Sequence, residues 1–127
     1  LNPIAMALGY DISFIARAYS GKSKELESII VRALAHRGFA FIDVISPCIT
    51  YYNTYKELPS QLSPVPADHD VKDRAKAFEL ALKTDKIYLG VFYELERPTF
   101  EERIRATVDQ AEQSGIPRLE EIFLEFA

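Results

Sequence analysis

An α/β fold, a parallel sheet with helices on both faces, is predicted for this chain by three observations. The first half alternates helix-period and strand-like stretches, the rhythm of an α/β layer. The stretch "FAFIDVIS" (39–46) is apolar throughout except for Asp43 and the closing serine, as a central strand covered on both faces would be. The amphipathic stretch 24–37 before it is long enough to cross between parallel strands.

Taken in order, Asn2 is a good N-cap and Pro3 suits the first helical position, where its missing N–H would be unpaired anyway. The helix runs 3–8 and Gly9 ends it. "ISFIARAY" (12–19) reads as the first strand. "SGKS" (20–23) is a turn with two candidate hydroxyl caps, and it lacks the earlier glycine that a phosphate-binding P-loop requires. From Lys24 to Arg37, Leu26, Ile29, Ile30, Ala33 and Leu34 make one apolar stripe, with Gly38 at C′. The second strand, 39–46, follows. Residues 49–69 hold Pro59, Pro64 and Pro66 with no clear period and read as a long irregular loop. Asp70 can cap a helix 71–83 with Ala75, Phe78 and Leu82 on one side. "IYLGVFYELE" (87–96) is a third strand, expected to lie parallel to the others. Thr99 and Glu102 form a capping box that opens a helix reaching about Ser114. Gly115 and Pro117 break it, and Leu119, Ile122, Phe123 and Phe126 predict a last helix.

The 127 residues suit one domain, 1–127. A net charge of −4 argues against a general binder of nucleic acid or of anionic membranes, which needs a basic face. No apolar run is long enough to span a membrane. There is no signal-peptide pattern, and a single cysteine cannot form an intrachain disulfide, so a cytoplasmic location is expected. The chain opens at Leu1 without methionine, and three strands are few for so much helix. A portion of a longer protein is therefore expected.

Cys48, in "ISPCITYYNTY" (45–55), follows a proline that stops the second strand. A small buried hydrophobe, a nucleophile and one ligand of a metal site are the three readings of it. From composition alone the first is preferred. A nucleophile needs a base, and only His36 and His69 are present. His36 lies in a last helical turn, where a cation complements the helix dipole. His69, between Asp68 and Asp70, reads as part of a solvated cluster, and Cys48, His69 and Asp70 lack a diagnostic metal-site spacing. Asp43, in an apolar strand, must be paired, and Arg17 on the neighbouring strand is a candidate partner. The tyrosines of "YYNTY" read as interface or core rather than a base-stacking platform, since no Lys/Arg cluster accompanies them. "YELERPTFEER" (93–103) reads as a solvated, salt-bridged helix start. These residues alone predict an α/β domain without an assigned chemistry.

Four stretches go further: "NPIAMAL" (2–8), "FIARAYS" (14–20), "GFAFIDVISPCIT" (38–50) and "GVFYELERPTFEER" (90–103). In that order they resemble the beta subunits of 2-oxoacid:ferredoxin oxidoreductases, thiamine-diphosphate enzymes acting on pyruvate, 2-oxoglutarate and related acids. The similarity runs from Asn2 to about Asn53 and resumes over 87–103. It implies the C-terminal part of a thiamine-diphosphate-binding fold in a longer beta subunit. The family's Gly-Asp-Gly motif for diphosphate and Mg2+ and its Cys-x-x-Cys pair have no counterpart here, so the expectation is that they lie upstream. The resemblance implies that Cys48, in the "SPC-x-T" motif, is the last thiolate ligand of a [4Fe–4S] cluster. It assigns no catalytic residue to this chain. The implied activity is oxidative decarboxylation of a 2-oxoacid with coenzyme A as acyl acceptor and ferredoxin as electron acceptor. An alpha, or fused gamma-alpha, subunit is the implied partner. Two other readings stand beside it: a non-enzymatic α/β interaction module, and the half-domain of another thiamine-diphosphate enzyme without a cluster.

Overall fold

The computed structural model describes residues 1–50, 52–115, 117 and 123–125. The chain divides into two compact units, Leu1–Arg97 and Pro98–Ala127. The first contains α1 (Pro3–Gly9), β1 (Phe14–Tyr19), α2 (Ser23–Ala35), β2 (Ala40–Ile45), α3 (Thr54–Gln61), β3 (Leu62–Pro64), α4 (Arg74–Leu82) and β4 (Ile87–Glu94). The second contains α5 (Phe100–Ser114).

The α/β class and the two helical layers are as predicted. On one face of the sheet, Ile4, Ala7 and Leu8 of α1 and Ala77, Leu80 and Ala81 of α4 pack on Ile15, Phe92 and Tyr93. On the other, Ile29 and Ala33 of α2 lie against Phe14, Ala16 and Val91. Phe14, Phe92, Ile4, Leu8 and Ile15 are the largest fully buried side chains, and each stabilises the fold by about 1.5–3 kcal/mol relative to exposure.

The strand order is β2-β1-β4-β3. β1 and β2 are parallel, in register from Phe14↔Ala40 to Tyr19↔Ile45. The third predicted strand is a correction: β4 runs antiparallel to β1, so the sheet is mixed. The apolarity of 39–46 also misplaced β2: the strand read as central and covered on both faces lies at the sheet edge, with none of its residues buried, because an apolar run records neither direction nor place in the sheet. The register passes from Ile15↔Tyr93 to Ala16↔Val91, leaving Phe92 unpaired in a β-bulge. Phe92 and Tyr93 thereby both reach the α1/α4 core.

The irregular loop expected over 49–69 also needs correction, because it contains α3 and β3. Asn53 caps α3 by accepting the Tyr55 N–H at 3.2 Å. The helix carries Pro59 inside it and buries none of its residues, so both usual signals of a helix were missing. β3 is a three-residue edge strand parallel to β4, ending in proline, as edges tolerate. Beside it, Gly90 has φ +134°, and a Cβ there would stand 3.2 Å from Val65 Cγ2.

Helix boundaries differ from those predicted for local reasons. α1 starts as predicted, with Asn2 Oδ1 accepting from Ala5 N at 3.2 Å. α2 has Lys22 as N-cap with no side-chain bond to the backbone, so neither serine hydroxyl caps it; Lys22 instead pairs with Glu25 at 3.0 Å. Only Ile29 and Ala33 of its stripe pack on the core; Ile30 and Leu34 are exposed. α4 is capped by Asp73, which accepts from Lys76 N at 3.1 Å, while Asp70 is spent on a turn, accepting from Lys72 N. Its buried residues are Ala77, Leu80 and Ala81; of the predicted Ala75, Phe78 and Leu82, Phe78 packs against that core while Ala75 and Leu82 are exposed. In the second unit, the Thr99/Glu102 capping box opens α5 and Gly115 closes it. Phe123 and Leu124 are helical and exposed; Leu119, Ile122 and Phe126 lie outside the described residues. Among those residues no helix is long and apolar enough to cross a membrane.

Candidate functional site

β1 and β2 end side by side, Tyr19 opposite Ile45, and the carboxyl end of β2 continues into the segment that carries Cys48. Ser20 N donates to Ile45 O at 2.9 Å, extending the ladder one residue, and Ser20 Oγ lies 3.3 Å from Ser46 Oγ. Pro47 then supplies no N–H, so pairing stops there. Cys48 is exposed. The buried-filler reading of its thiol is thereby overturned: the strand ends too early to carry residue 48 into either packed layer.

The backbone of Cys48 is nevertheless held. Its N–H donates to Thr54 Oγ1 at 2.8 Å, and the same hydroxyl donates to Cys48 O at 3.1 Å. Thr54 N also donates to Cys48 O, at 3.1 Å. Thr54 is the first residue of α3, so this clamp ties the cysteine to a helix end. Thr50 N donates to Cys48 Sγ at 3.5 Å, placing a backbone donor on the sulfur. Further along the same segment, the Glu57 carboxylate accepts the Tyr52 hydroxyl, and that hydrogen bond raises the phenol's pKa. Tyr52 and Tyr55 are both exposed, as an interface reading of these tyrosines requires; Tyr51 lies outside the described residues.

The other residues singled out from the sequence take structural places. Asp43 meets Arg17, Nε to Oδ2 at 2.7 Å, with the guanidinium 5.8 Å above the Phe92 ring. His69 bonds the Phe92 carbonyl at 2.8 Å, anchoring its loop to the bulge rather than forming a solvated cluster with Asp68 and Asp70. Among the described residues no group of three or more His, Cys, Asp or Glu could hold a metal ion.

His36, the C-cap of α2, takes a structural role, its side chain buried rather than in solvent. Its side chain is 1% exposed, its ring lies 5.4 Å from that of Phe14, and Nε2 is 3.0 Å from Ser13 Oγ. Ser13 in turn bonds both Phe39 N and Phe39 O. Gly38, at φ +139°, leaves the room: a Cβ there would fall 2.3 Å from Ser13 Oγ. Sequence reasoning missed this node and the Thr54 clamp. For the clamp the usable signal was the Asn53-Thr54 pair, a helix start six residues after the cysteine.

Three comparisons bear on what such an arrangement belongs to. Residues 48–109 match the family model for the C-terminal part of the pyruvate ferredoxin oxidoreductase beta subunit. The chain is 38% identical over 121 residues to the 2-oxoacid:ferredoxin oxidoreductase subunit beta of a Sulfolobus species, covering 84% of this chain and 40% of that protein. It is 26% identical over 108 residues to the 2-oxoglutarate synthase subunit KorB of Methanocaldococcus jannaschii, covering 83% of this chain and 40% of that protein. Among solved structures, a chain of the 2-oxoglutarate:ferredoxin oxidoreductase from Magnetococcus marinus, with 2-oxoglutarate, coenzyme A and succinyl-CoA bound, superposes with a TM-score of 0.81 at 28% identity. The match covers 100% of this chain and 44% of that one. The chain thus spans about 40% of the length of the curated relatives it matches.

Proposed function

Because this chain belongs to the 2-oxoacid:ferredoxin oxidoreductase beta-subunit family, we propose that it serves, with an alpha or fused gamma-alpha subunit, in the cytoplasmic coenzyme-A-dependent oxidative decarboxylation of a 2-oxoacid, with ferredoxin as electron acceptor. The acid is of the pyruvate or 2-oxoglutarate kind, in line with the ligands named for the Magnetococcus enzyme. Thiamine diphosphate with Mg2+ supplies the carbanion chemistry in such enzymes, and a [4Fe–4S] cluster carries electrons singly. This chain's own share in that chemistry is Cys48.

The observation that carries the reading is the place of Cys48. Its thiol is exposed at the carboxyl ends of two parallel strands, where α/β sheets bind their ligands. Its backbone is clamped and its sulfur accepts an N–H. A thiolate ligand fits those surroundings. The chain has one cysteine and a cluster is held by four thiolates, so the remaining ligands come from outside residues 1–127.

The test replaces Cys48 by Ser in the assembled enzyme. Iron content and 2-oxoacid-dependent reduction of ferredoxin are expected to fall, with the spectrum of the reduced cluster altered and thiamine-diphosphate binding retained. Full iron, an unchanged reduced spectrum and normal ferredoxin reduction would defeat the assignment of Cys48.

A further inference from the structure

We infer that Thr54 is a positioning residue for Cys48, holding the cysteine in the conformation that presents its sulfur and keeping the Thr50 N–H on that sulfur. The inference rests on the reading of Cys48 as a cluster ligand. Of the described residues between the end of β2 at Ile45 and the start of α3 at Thr54, none lies in a helix or strand. A ligand on such a stretch must be fixed by other means, or its ordering works against binding.

Both sides of Cys48 supply that constraint. Before it, Pro47 fixes one backbone dihedral directly after the strand. After it, Thr54 makes three hydrogen bonds to the two peptide groups of Cys48, at 2.8, 3.1 and 3.1 Å. The hydroxyl takes part in two of them, once as acceptor and once as donor. Thr54 is itself fixed as the first residue of a helix capped by Asn53, so the clamp is anchored to a regular element. The loop so closed contains Thr50, whose N–H lies 3.5 Å from Sγ.

Two consequences follow for the bound state. Residues behind metal ligands set ligand orientation, and their loss typically weakens metal binding or activity by roughly 10–100-fold. A hydrogen bond to a cluster sulfur favours the more negative, reduced form, so losing it lowers the reduction potential. Valine at 54 keeps the shape and the backbone N–H while removing both hydroxyl bonds. Serine keeps both.

The assembled enzyme is compared with its Thr54→Val and Thr54→Ser variants. The readouts are the rate of cluster loss to an iron chelator, the potential followed by electron paramagnetic resonance, and hydrogen exchange of the Cys48 amide. Thr54→Val is expected to lose iron about 10–100-fold faster and to shift to a more negative potential, while Thr54→Ser restores both. A folded Thr54→Val enzyme with unaltered chelator resistance and potential would overturn the inference. The exchange measurement needs no variant: a Cys48 amide exchanging as fast as free coil would overturn it too. The Cys48→Ser enzyme separates the two levels. If it keeps full iron and an unchanged spectrum, the ligand reading itself fails; if it loses them while Thr54→Val does not, only the role of Thr54 fails.

Discussion

Arg17 and Asp43 stand directly opposite each other on the parallel strands β1 and β2, joined Nε to Oδ2 at 2.7 Å, with side chains 14% and 21% exposed. The pair admits two charges into a largely apolar sheet by neutralising each with the other, and the Phe92 ring under the guanidinium adds a cation–π contact. A pair this sheltered lies between the exposed case, worth little, and the buried case, where breaking one side is costly. Asp43→Ala, which leaves the guanidinium without its carboxylate, is expected to cost about 1–3 kcal/mol. Arg17→Met with Asp43→Leu should cost less than the two single changes summed. Urea unfolding of the four proteins checks it, and strict additivity would deny the coupling.

Asp11 predicts an acid-sensitive joint. It has φ +61° and its carboxylate accepts from both Arg74 and Arg97, while Arg74 also bonds the Leu8 carbonyl at the end of α1. The Arg74 hydrogen bond, then that of Arg97, holds the carboxyl below its ordinary 3.8. A pKa lowered on folding means that the unfolded chain binds more protons. The contribution is therefore complete above pH ~4 and lost as pH falls through the folded value. Asp11→Asn keeps tolerance of the left-handed backbone and removes the charge. Its stability should fall less steeply than that of the parent below pH ~4, and equal slopes in acid denaturation would refute the assignment.

Gly90→Ala should be strained on two counts, a backbone at φ +134° and a Cβ 3.2 Å from Val65. The expected cost is about 1–3 kcal/mol. Adding Val65→Ala relieves the contact but not the dihedral, so recovery measured by thermal unfolding should be partial.

The apolar stripe of α2 divides into residues that pack and residues that do not. Leu34→Ala, at a position 82% exposed, is expected to change stability by no more than about 0.5 kcal/mol. Phe14→Ala, at a position 0% exposed, should cost about 3–5 kcal/mol. A large effect at Leu34 in this chain would place it in a contact the fold lacks.

Purified alone, the chain is expected to hold neither a [4Fe–4S] cluster nor thiamine diphosphate, since it has one cysteine and a cluster is held by four thiolates. Iron and sulfide analysis together with calorimetry test this. A coloured, iron-bearing preparation would contradict it.

Short-range chemistry was legible in the residues. Asn2 and Pro3 at one helix start, Thr99 and Glu102 at another, and the apolar runs of β1, β2 and β4 act over a few positions, and each element appeared where its own signals lay. The Arg17–Asp43 pair was also within reach, because a carboxylate in an apolar strand demands a partner and only a neighbouring strand can offer one. Strand direction, the Phe92 bulge, the helix around Pro59 and the short edge strand were not. Each depends on which distant segment lies alongside, and no local pattern records that. The same reason governs the two histidines: Ser13, Phe14 and Gly38 bury His36, and the Phe92 carbonyl holds His69. Cys48 shows the division within one residue. The motif around it named the thiol, but only folding brought the Thr54 hydroxyl onto its peptide groups, because that bond closes a turn between the end of a strand and the first residue of a helix.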